Sequence, residues 1–356
     1  MFVAAVTSAV ALVGCQSAPP APVTAPLQTA ATASAARASA DDAVNRVLAI
    51  SVDGLNPRAI TQLGPRGAPA FHRMMREGTW TVNARTEQEL TRTLPNHTGM
   101  LTSRRIDPAH AGHGVTFNYD NGSTVHRAAG TYVPSVFDVV HDHGGRTSLY
   151  SAKTKFAFFQ RTWNTNGRPD RVGQDNGKAK ISNVVIDMNN ARLVAKLNTE
   201  LATQPRTFSF LHISLPDVAG HADGFMSPEY VAAVKQTDKL LGTVLATISR
   251  RPALRAEMLV LLTADHGGEG PSHDNAAALQ NYRIPFMAWG PGVAVRRDLY
   301  AINPTFTDPG TARTGYSGKQ PIRNGDLANL VTDVLDLPAV AGSELDRTRT
   351  LNLFPS

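Results

Sequence analysis

Near its start the chain carries the stretch Arg46-Val47-Leu48-Ala49-Ile50-Ser51-Val52-Asp53, which is apolar almost throughout and has the length of a β-strand. Continuous apolar runs of this kind are typical of strands that are buried on both faces, as in a parallel sheet. The run ends at Asp53-Gly54, where a carboxylate and a turn residue replace the apolar pattern. We therefore interpret it as a central strand that delivers Asp53 to one edge of a sheet.

Further strands and helices alternate along the chain. The sequence predicts strands over 79–84, 147–151, 207–214, 258–263 and 284–289. It predicts helices over 70–77, 135–143, 189–201, 228–249 and 325–335, with another that begins at Thr93. Residues 154–182 are rich in Asn, Gly, Arg and Asp, which indicates an irregular surface excursion. The alternation predicts an α/β fold with a largely parallel central sheet and helices on both faces.

Composition sets limits on the class of protein. The 356 residues are 42% hydrophobic and 18% charged, which is typical of a globular domain with a large core, and we predict one domain over 41–356. The net charge is +6. Because the arginine pairs are scattered rather than aligned in a stripe, a stable nucleic-acid partner is not expected. The sequence does not indicate an oligomeric state.

The N-terminal residues predict export. Residues 3–13 are apolar but too few to span a bilayer, and they lead into Leu12-Val13-Gly14-Cys15. That tetrapeptide resembles a lipobox, so we expect residues 1–15 to be a signal peptide and Cys15 to carry a lipid that anchors the protein to the cell membrane. The alternative is a plain secretory signal. Residues 16–40, mostly Ala, Pro, Ser and Thr, are typical of a flexible tether.

Three predicted strands are each followed by a carboxylate. Asp53, Asp217 and Asp265 come after the runs that end near residues 52, 214 and 263. In open α/β sheets, ligands bind beyond the carboxyl ends of the strands, so these side chains are expected at one edge. His221 lies one helical turn after Asp217, and His266 directly follows Asp265. Carboxylate and imidazole ligands suit zinc, with manganese or iron as alternatives.

A possible nucleophile lies in the stretch Thr93-Leu94-Pro95-Asn96-His97. The proline favours the first turn of a helix, which places Thr93 near a helix N-terminus where an anion is stabilised. Threonine becomes a useful nucleophile when a nearby metal ion lowers the pKa of its hydroxyl. A helix cap without catalytic function is the alternative for Thr93 considered alone.

Together these segments resemble the type I phosphodiesterase/nucleotide pyrophosphatase family of the alkaline phosphatase superfamily. The resemblance runs from about Arg46 to Ser343 and is carried by five motifs: Val52-Asp53-Gly54, Thr93-Leu94-Pro95-Asn96-His97, His113-Gly114-Val115, Pro216-Asp217-Val218-Ala219-Gly220-His221 and Thr263-Ala264-Asp265-His266-Gly267. It implies an alkaline-phosphatase-like fold and two zinc ions.

The resemblance also implies roles for single residues. Asp53, Asp265, His266 and the Thr93 oxygen would bind one zinc ion, and Asp217, His221 and a later histidine the other. His273 is the only histidine after His266, and Asp274 or Glu269 is the alternative ligand. Asn118 occupies the position of an amide that hydrogen-bonds a phosphoryl oxygen.

The implied activity is hydrolysis of a small phosphodiester through a phosphothreonine intermediate. A phosphomonoesterase or a phosphonate hydrolase on the same metal core remains an alternative, with Lys153 or Lys155 as the cation that a monoester needs. A sulfatase is disfavoured, because Thr93 stands where that family has Cys or Ser. A non-catalytic lipoprotein that binds an anion is disfavoured by the intact ligand set.

Overall fold

The computed structural model describes residues 1, 2, 4, 44–169 and 178–355. The predicted lipid site at Cys15, the tether over 16–40 and the expected start of the domain at residue 41 lie outside these residues. The account of the fold therefore concerns the part of the chain from Val44 onward.

One eight-stranded sheet organises the described chain, in the order β4-β3-β5-β1-β6-β7-β2-β8. The strands are β1 Arg46–Val52, β2 Thr79–Arg85, β3 Thr147–Ser151, β4 Asn183–Ile186, β5 Phe208–Ile213, β6 Met258–Thr263, β7 Arg283–Trp289 and β8 Arg297–Asp298. Among these, β7 alone runs against the others, since it pairs antiparallel with both β6 and β2. The prediction of a largely parallel sheet is confirmed.

The strand β1 lies in the middle of the sheet. It pairs in parallel with β5 on one side and β6 on the other, so that Ile50 lies beside both Leu211 and Leu262. Residues Val47 to Val52 are all buried, as a strand covered on both faces requires. Because β1, β5 and β6 run in the same direction, their carboxyl ends meet at one edge.

Helices form two layers around this sheet, as predicted. The first layer contains Pro57–Gly67, Pro69–Glu77, Asn190–Thr203, Leu215–Asp223, Pro228–Ser249 and Pro252–Glu257, which contact one another. The second contains Thr93–Thr102, Val136–Asp142 and Leu327–Val334. Short helices cover Val125–Ala129, Ala157–Gln160, Leu279–Tyr282 and Leu299–Ile302. Within residues 44–169 and 178–355, none of the helices has the length and apolarity that a membrane crossing requires.

The structure differs from the expectation at residues 154–165. Instead of an irregular surface excursion, this segment forms consecutive helical turns over Thr154–Phe156, Ala157–Gln160 and Arg161–Thr165. Its aromatic side chains Phe156, Phe158, Phe159 and Trp163 are fully buried in the core. Burial of these four rings outweighs the polar composition around them, because each large aromatic side chain contributes several times the apolar area of a small residue.

Candidate active site

The candidate active site lies at the carboxyl ends of the parallel strands. Asp53 directly follows β1, Asp217 lies in the first turn of helix Leu215–Asp223 after β5, and Asp265 and His266 follow β6. All four side chains are at most 3% exposed. The sheet thus brings together carboxylates that are far apart in sequence.

The first predicted ligand set is centred on His266. Its Nε2 lies 3.2 Å from Asp265 Oδ2 and 3.5 Å from Asp53 Oδ1. These three residues form one group that is able to bind a metal ion. The turn that follows β1 holds Asp265 in place, because the Gly54 N–H donates a hydrogen bond to Asp265 Oδ1 at 3.0 Å.

The second predicted set is also brought together. Asp217 Oδ1 lies 3.4 Å from His221 Nε2 and 3.7 Å from His273 Nε2, and the two Nε2 atoms are 3.1 Å apart. The helix Leu215–Asp223 supplies the predicted one-turn spacing between Asp217 and His221. His266 Nε2 is 3.8 Å from Asp217 Oδ1, so the two sets are adjacent.

The alternatives to His273 point elsewhere. Asp274 Oδ1 accepts from Arg92 Nε at 2.8 Å, and Glu269 Oε1 accepts from Arg58 Nη1 at 3.2 Å. Both carboxylates are about half exposed, at 57% and 47%. His273 is instead 2% exposed, and its ring stacks on that of His266. The structure therefore places His273 in the second set of ligands. It does not place the carboxylate of Asp274 or of Glu269 there.

The unpaired atoms of this site fit metal ions. Asp53 Oδ1, Asp217 Oδ1, Asp265 Oδ2 and His266 Nε2 are buried and make no hydrogen bond within the described chain. Buried polar atoms normally have a hydrogen-bond partner, so four unpaired atoms close together indicate that a ligand binds there. His266 Nδ1 donates to Gly267 O and His273 Nδ1 donates to Thr91 O, at 2.8 and 2.6 Å. In a neutral imidazole this leaves the lone pair on Nε2 for a metal.

The electrostatics of the site agree with this interpretation. Burial and the neighbouring charge of Asp53 raise the pKa of Asp265 well above its usual range. Burial opposes the charge of Asp53 most strongly, but Lys153, His212 and His266 together outweigh it and hold the pKa of Asp53 well below its usual range. Burial lowers the pKa of His266 to about 3, so this imidazole is neutral at physiological pH. A bound cation would keep all three carboxylates ionised.

Thr93 begins the helix Thr93–Thr102, whose ten residues are all buried. The helix is tied to the site through its first turn, because His97 Nδ1 donates to Thr93 O at 2.7 Å and lies 3.7 Å from Asp265 Oδ2. The next backbone amide, Leu94 N, donates to Asn118 Oδ1 at 2.9 Å. Asn118 therefore lies beside the start of this helix, with its Nδ2 making no hydrogen bond to the residues described.

Sequence reasoning missed His212 and the position of Lys153. His212 Nε2 donates to Asp53 Oδ2 at 2.8 Å, and Lys153 Nζ lies 2.6 Å from both Asp53 Oδ2 and Asp217 Oδ2. These contacts occupy the second oxygen of each carboxylate and leave Oδ1 free. A polar His212 at the end of an apolar strand was the available signal for the first of them.

The turn after β1 requires a glycine. Gly54 has φ +67°, and a Cβ there would lie 3.0 Å from the Phe225 ring and 3.1 Å from Asp217 Cα. The same ring would meet a Cβ at Gly220 or Gly268 within 2.6 Å. Phe225 thus packs against three chain segments that carry ligands of the site. Their glycines let these backbones approach one buried ring.

A family model for the type I phosphodiesterase/nucleotide pyrophosphatase family matches residues 47–305, which is more than half of the chain. This chain belongs to that family. The match begins in β1 and includes every residue that we assigned to the candidate site from the sequence. The predicted family is therefore confirmed.

Curated relatives of this phosphodiesterase family are matched over short stretches. A venom phosphodiesterase of Crotalus durissus collilineatus is 33% identical over 115 residues, which is 30% of this chain and 14% of that protein. Venom phosphodiesterase 2 of Crotalus adamanteus is 34% identical over 104 residues, 27% of this chain and 13% of that protein. The chain thus matches only a small part of the length of these relatives.

Solved structures of the family share the fold. Murine ectonucleotide pyrophosphatase/phosphodiesterase 5 has a TM-score of 0.60 at 15% identity, covering 87% of this chain and 100% of that one. An inactive murine variant in complex with AMP has a TM-score of 0.58 at 14% identity, covering 86% and 99%. The human protein has a TM-score of 0.59 at 14% identity, covering 86% and 100%. The predicted alkaline-phosphatase-like fold is confirmed.

Proposed function

We propose that this protein is a two-zinc phosphodiesterase that uses Thr93 as its nucleophile. The observation that supports it most strongly is the cluster of four buried, unpaired ligand atoms next to the helix that begins with Thr93. Such an arrangement has no structural function without a cation, because unpaired buried polar atoms destabilise a fold. Membership of a phosphodiesterase family gives the reaction class.

Two metal ions fit the residues present. Asp53, Asp265 and His266 would bind one ion with the Thr93 oxygen. Asp217, His221 and His273 would bind the other, and Asp217 and His273 also form a possible metal-binding group with His266. When bound, such ions lower the pKa of a hydroxyl nucleophile and stabilise negative charge on the leaving oxygen. The mixed oxygen and nitrogen ligands favour zinc, with manganese or iron as alternatives.

The residues of the chain determine how the ester is positioned. The Thr93 oxygen attacks phosphorus, the bond to the leaving alcohol breaks, and a phosphothreonine forms that water then hydrolyses. Asn118 Oδ1 is occupied by Leu94 N, which directs the amide so that Nδ2 is left to donate to a non-bridging phosphoryl oxygen. His97 fixes the first turn through Thr93 O and Ser51 Oγ.

The proposed substrate is a small phosphodiester such as a nucleotide derivative. The murine structure with AMP supports a nucleotide ligand for a protein of this fold. Tyr119 directly follows Asn118 and is 65% exposed, so it offers an aromatic surface beside the proposed phosphoryl contact. The amide of Asn118 carries no charge with which to balance the second negative charge of a monoester, so this contact by itself favours diesters.

Purified protein tests this proposal directly. We expect hydrolysis of bis-p-nitrophenyl phosphate, loss of that activity on chelation, recovery with zinc, and about two zinc ions per chain by elemental analysis. We also expect kcat/KM to be higher for methyl p-nitrophenyl phosphate than for p-nitrophenyl phosphate. The metal proposal would be contradicted by active protein that holds less than one metal ion per chain and keeps its activity in the presence of a chelator. A clear preference for the monoester would contradict the diester assignment.

A further inference from the structure

Two lysines that follow β3 reach the candidate site in different electrostatic settings. Lys153 Nζ lies 2.6 Å from the Oδ2 atoms of Asp53 and Asp217, so two carboxylates balance its charge. Lys155, two residues further along, is half-buried and makes no ion pair within residues 44–169 and 178–355. Only Lys155 therefore has positive charge available for a ligand.

The contacts of Lys155 place it beside the proposed phosphoryl position. Its Nζ donates to Asn118 Oδ1 at 3.2 Å, and the same oxygen accepts from Leu94 N at 2.9 Å. Lys155 is thus connected through one amide group to the helix that Thr93 begins. Within the part of the chain that the structure describes, this neutral amide is its one hydrogen-bond partner, and the other two ammonium hydrogens remain for an anion.

A half-buried ammonium group without an anionic partner favours binding of an anion. Burial and the charge of Lys153 lower the pKa of Lys155 by more than the more distant carboxylates of the site raise it, so an anion bound beside Lys155 would favour its charged form. The dipole of helix Thr93–Thr102 also favours negative charge near its N-terminus. This arrangement stabilises a bound anion with two negative charges more than an anion with one.

We propose that Lys155 binds the second negative charge of the reacting phosphoryl group, so that the site also hydrolyses phosphomonoesters. This inference rests on the proposed function, because it uses the same site and the same Thr93 nucleophile. The Thr93 oxygen bonds to phosphorus as the bond to the alcohol breaks, and the alcohol takes up the proton that Thr93 gives up. Water then cleaves the phosphothreonine, which releases inorganic phosphate and restores the hydroxyl.

Substitution of Lys155 tests the charge dependence. We expect Lys155→Met to lower kcat/KM for p-nitrophenyl phosphate roughly tenfold or more, since hydrogen bonds to charged groups have effects of that size. The value of kcat/KM for methyl p-nitrophenyl phosphate should change less than about threefold, because this ester lacks the second negative charge that Lys155 would bind. Lys155→Arg should keep most of the monoester activity, because it keeps the charge. Lys235→Met, on the exposed face of helix Pro228–Ser249, is the matched control and should leave both values unchanged.

Equal losses for the two esters would overturn the inference, and so would a wild-type enzyme that cleaves diesters but no monoester. Inorganic phosphate provides a measurement that does not depend on turnover. In calorimetry with metal-loaded protein, Lys155→Met should bind phosphate more weakly than wild type and Lys235→Met. If the wild type cleaves neither ester, the proposed function and the monoester activity both fail, and phosphate binding then decides only whether Lys155 binds an anion. Weaker binding by Lys155→Met supports that role, and unchanged binding overturns it.

Discussion

Thr93 is the residue whose substitution should have the largest effect on turnover. We expect Thr93→Ala to lower kcat by about 10⁴-fold or more, because the nucleophile is lost while Asp53, Asp265 and His266 remain to hold metal. Thr93→Ser keeps a hydroxyl and should keep part of the rate. The measurements are kcat on bis-p-nitrophenyl phosphate and metal content by elemental analysis. Full activity in Thr93→Ala would exclude the covalent mechanism.

His273 provides a test of the second metal site. Without it, Asp217 and His221 leave one protein ligand fewer than the three that are usual at a catalytic zinc. We expect His273→Ala to lower the metal content toward about one ion per chain and to lower activity steeply at low zinc, with partial recovery when zinc is added. Asp274→Ala is the matched control, because Asp274 pairs with Arg92 at the surface.

Two tightly bound ions and normal turnover in His273→Ala would mean that His273 is not a ligand. Because His273 stacks on His266 and lies near Phe225, the thermal unfolding of the variant should be measured beside its metal content. A folded variant that loses one ion separates metal binding from packing.

At the scale of elements, Glu87 lies between a helix and a neighbouring turn. Its buried side chain lies against Gly99 in helix Thr93–Thr102 and against Gly325 in the turn Asn324–Asp326. Burial raises the pKa of Glu87 from 4.5 to about 7, although Arg323 and Tyr316 oppose the shift. The folded protein therefore holds a proton on Glu87 that the unfolded chain releases at lower pH.

This shift predicts a pH dependence of stability. Protonated Glu87 contributes on the order of 3 kcal/mol to the free energy of unfolding. This contribution is fully present below pH 4.5 and is lost as the pH rises to about 7. We expect the free energy of unfolding in urea to fall less between pH 5 and pH 8 in Glu87→Gln than in wild type. Glu229→Gln, at an exposed carboxylate, should show the wild-type fall. An identical fall in wild type and Glu87→Gln would contradict the shift.

The elements that sequence patterns predicted best are those with a local cause. The strands β1, β3 and β6 and the helix Pro228–Ser249 were predicted within one residue at each end, because burial on one or both faces leaves a clear apolar pattern. The carboxylates after β1 and β6 were predicted for the same reason. The reversed direction of β7 was not, since strand direction depends on the connection and not on the residues of the strand.

The aromatic segment at 154–165 had a signal that composition concealed. Phe156, Phe159 and Trp163 follow a spacing of three and four, which is the period of a helix face. The contacts of Lys153 had no such local pattern. They depend on β3 lying next to β5 and on β5 lying next to β1, which only the assembled sheet determines.

At the scale of the whole molecule, we propose that a lipid on Cys15 holds the enzyme at the outer side of a cell membrane. The supporting pattern is Leu12-Val13-Gly14-Cys15 followed by the tether over 16–40. We expect Cys15→Ser to move the protein from the membrane fraction to the soluble fraction. Ser17→Ala, two residues away, should leave it in the membrane fraction. Continued membrane association of Cys15→Ser would place the anchor elsewhere.

The central position of β1 has a consequence for the order of assembly. The first of the described strands, β1, is bordered by β5 and β6, which follow only after more than half of the chain. Contacts between distant parts of a chain form slowly. Until β1 pairs with β5 and β6, its unpaired edges are able to pair with other chains. A chain interrupted before residue 258 lacks both β6 and the Asp265-His266 pair. Such a fragment would present the apolar edge of Arg46–Val52 to its neighbours and aggregate rather than retain partial activity.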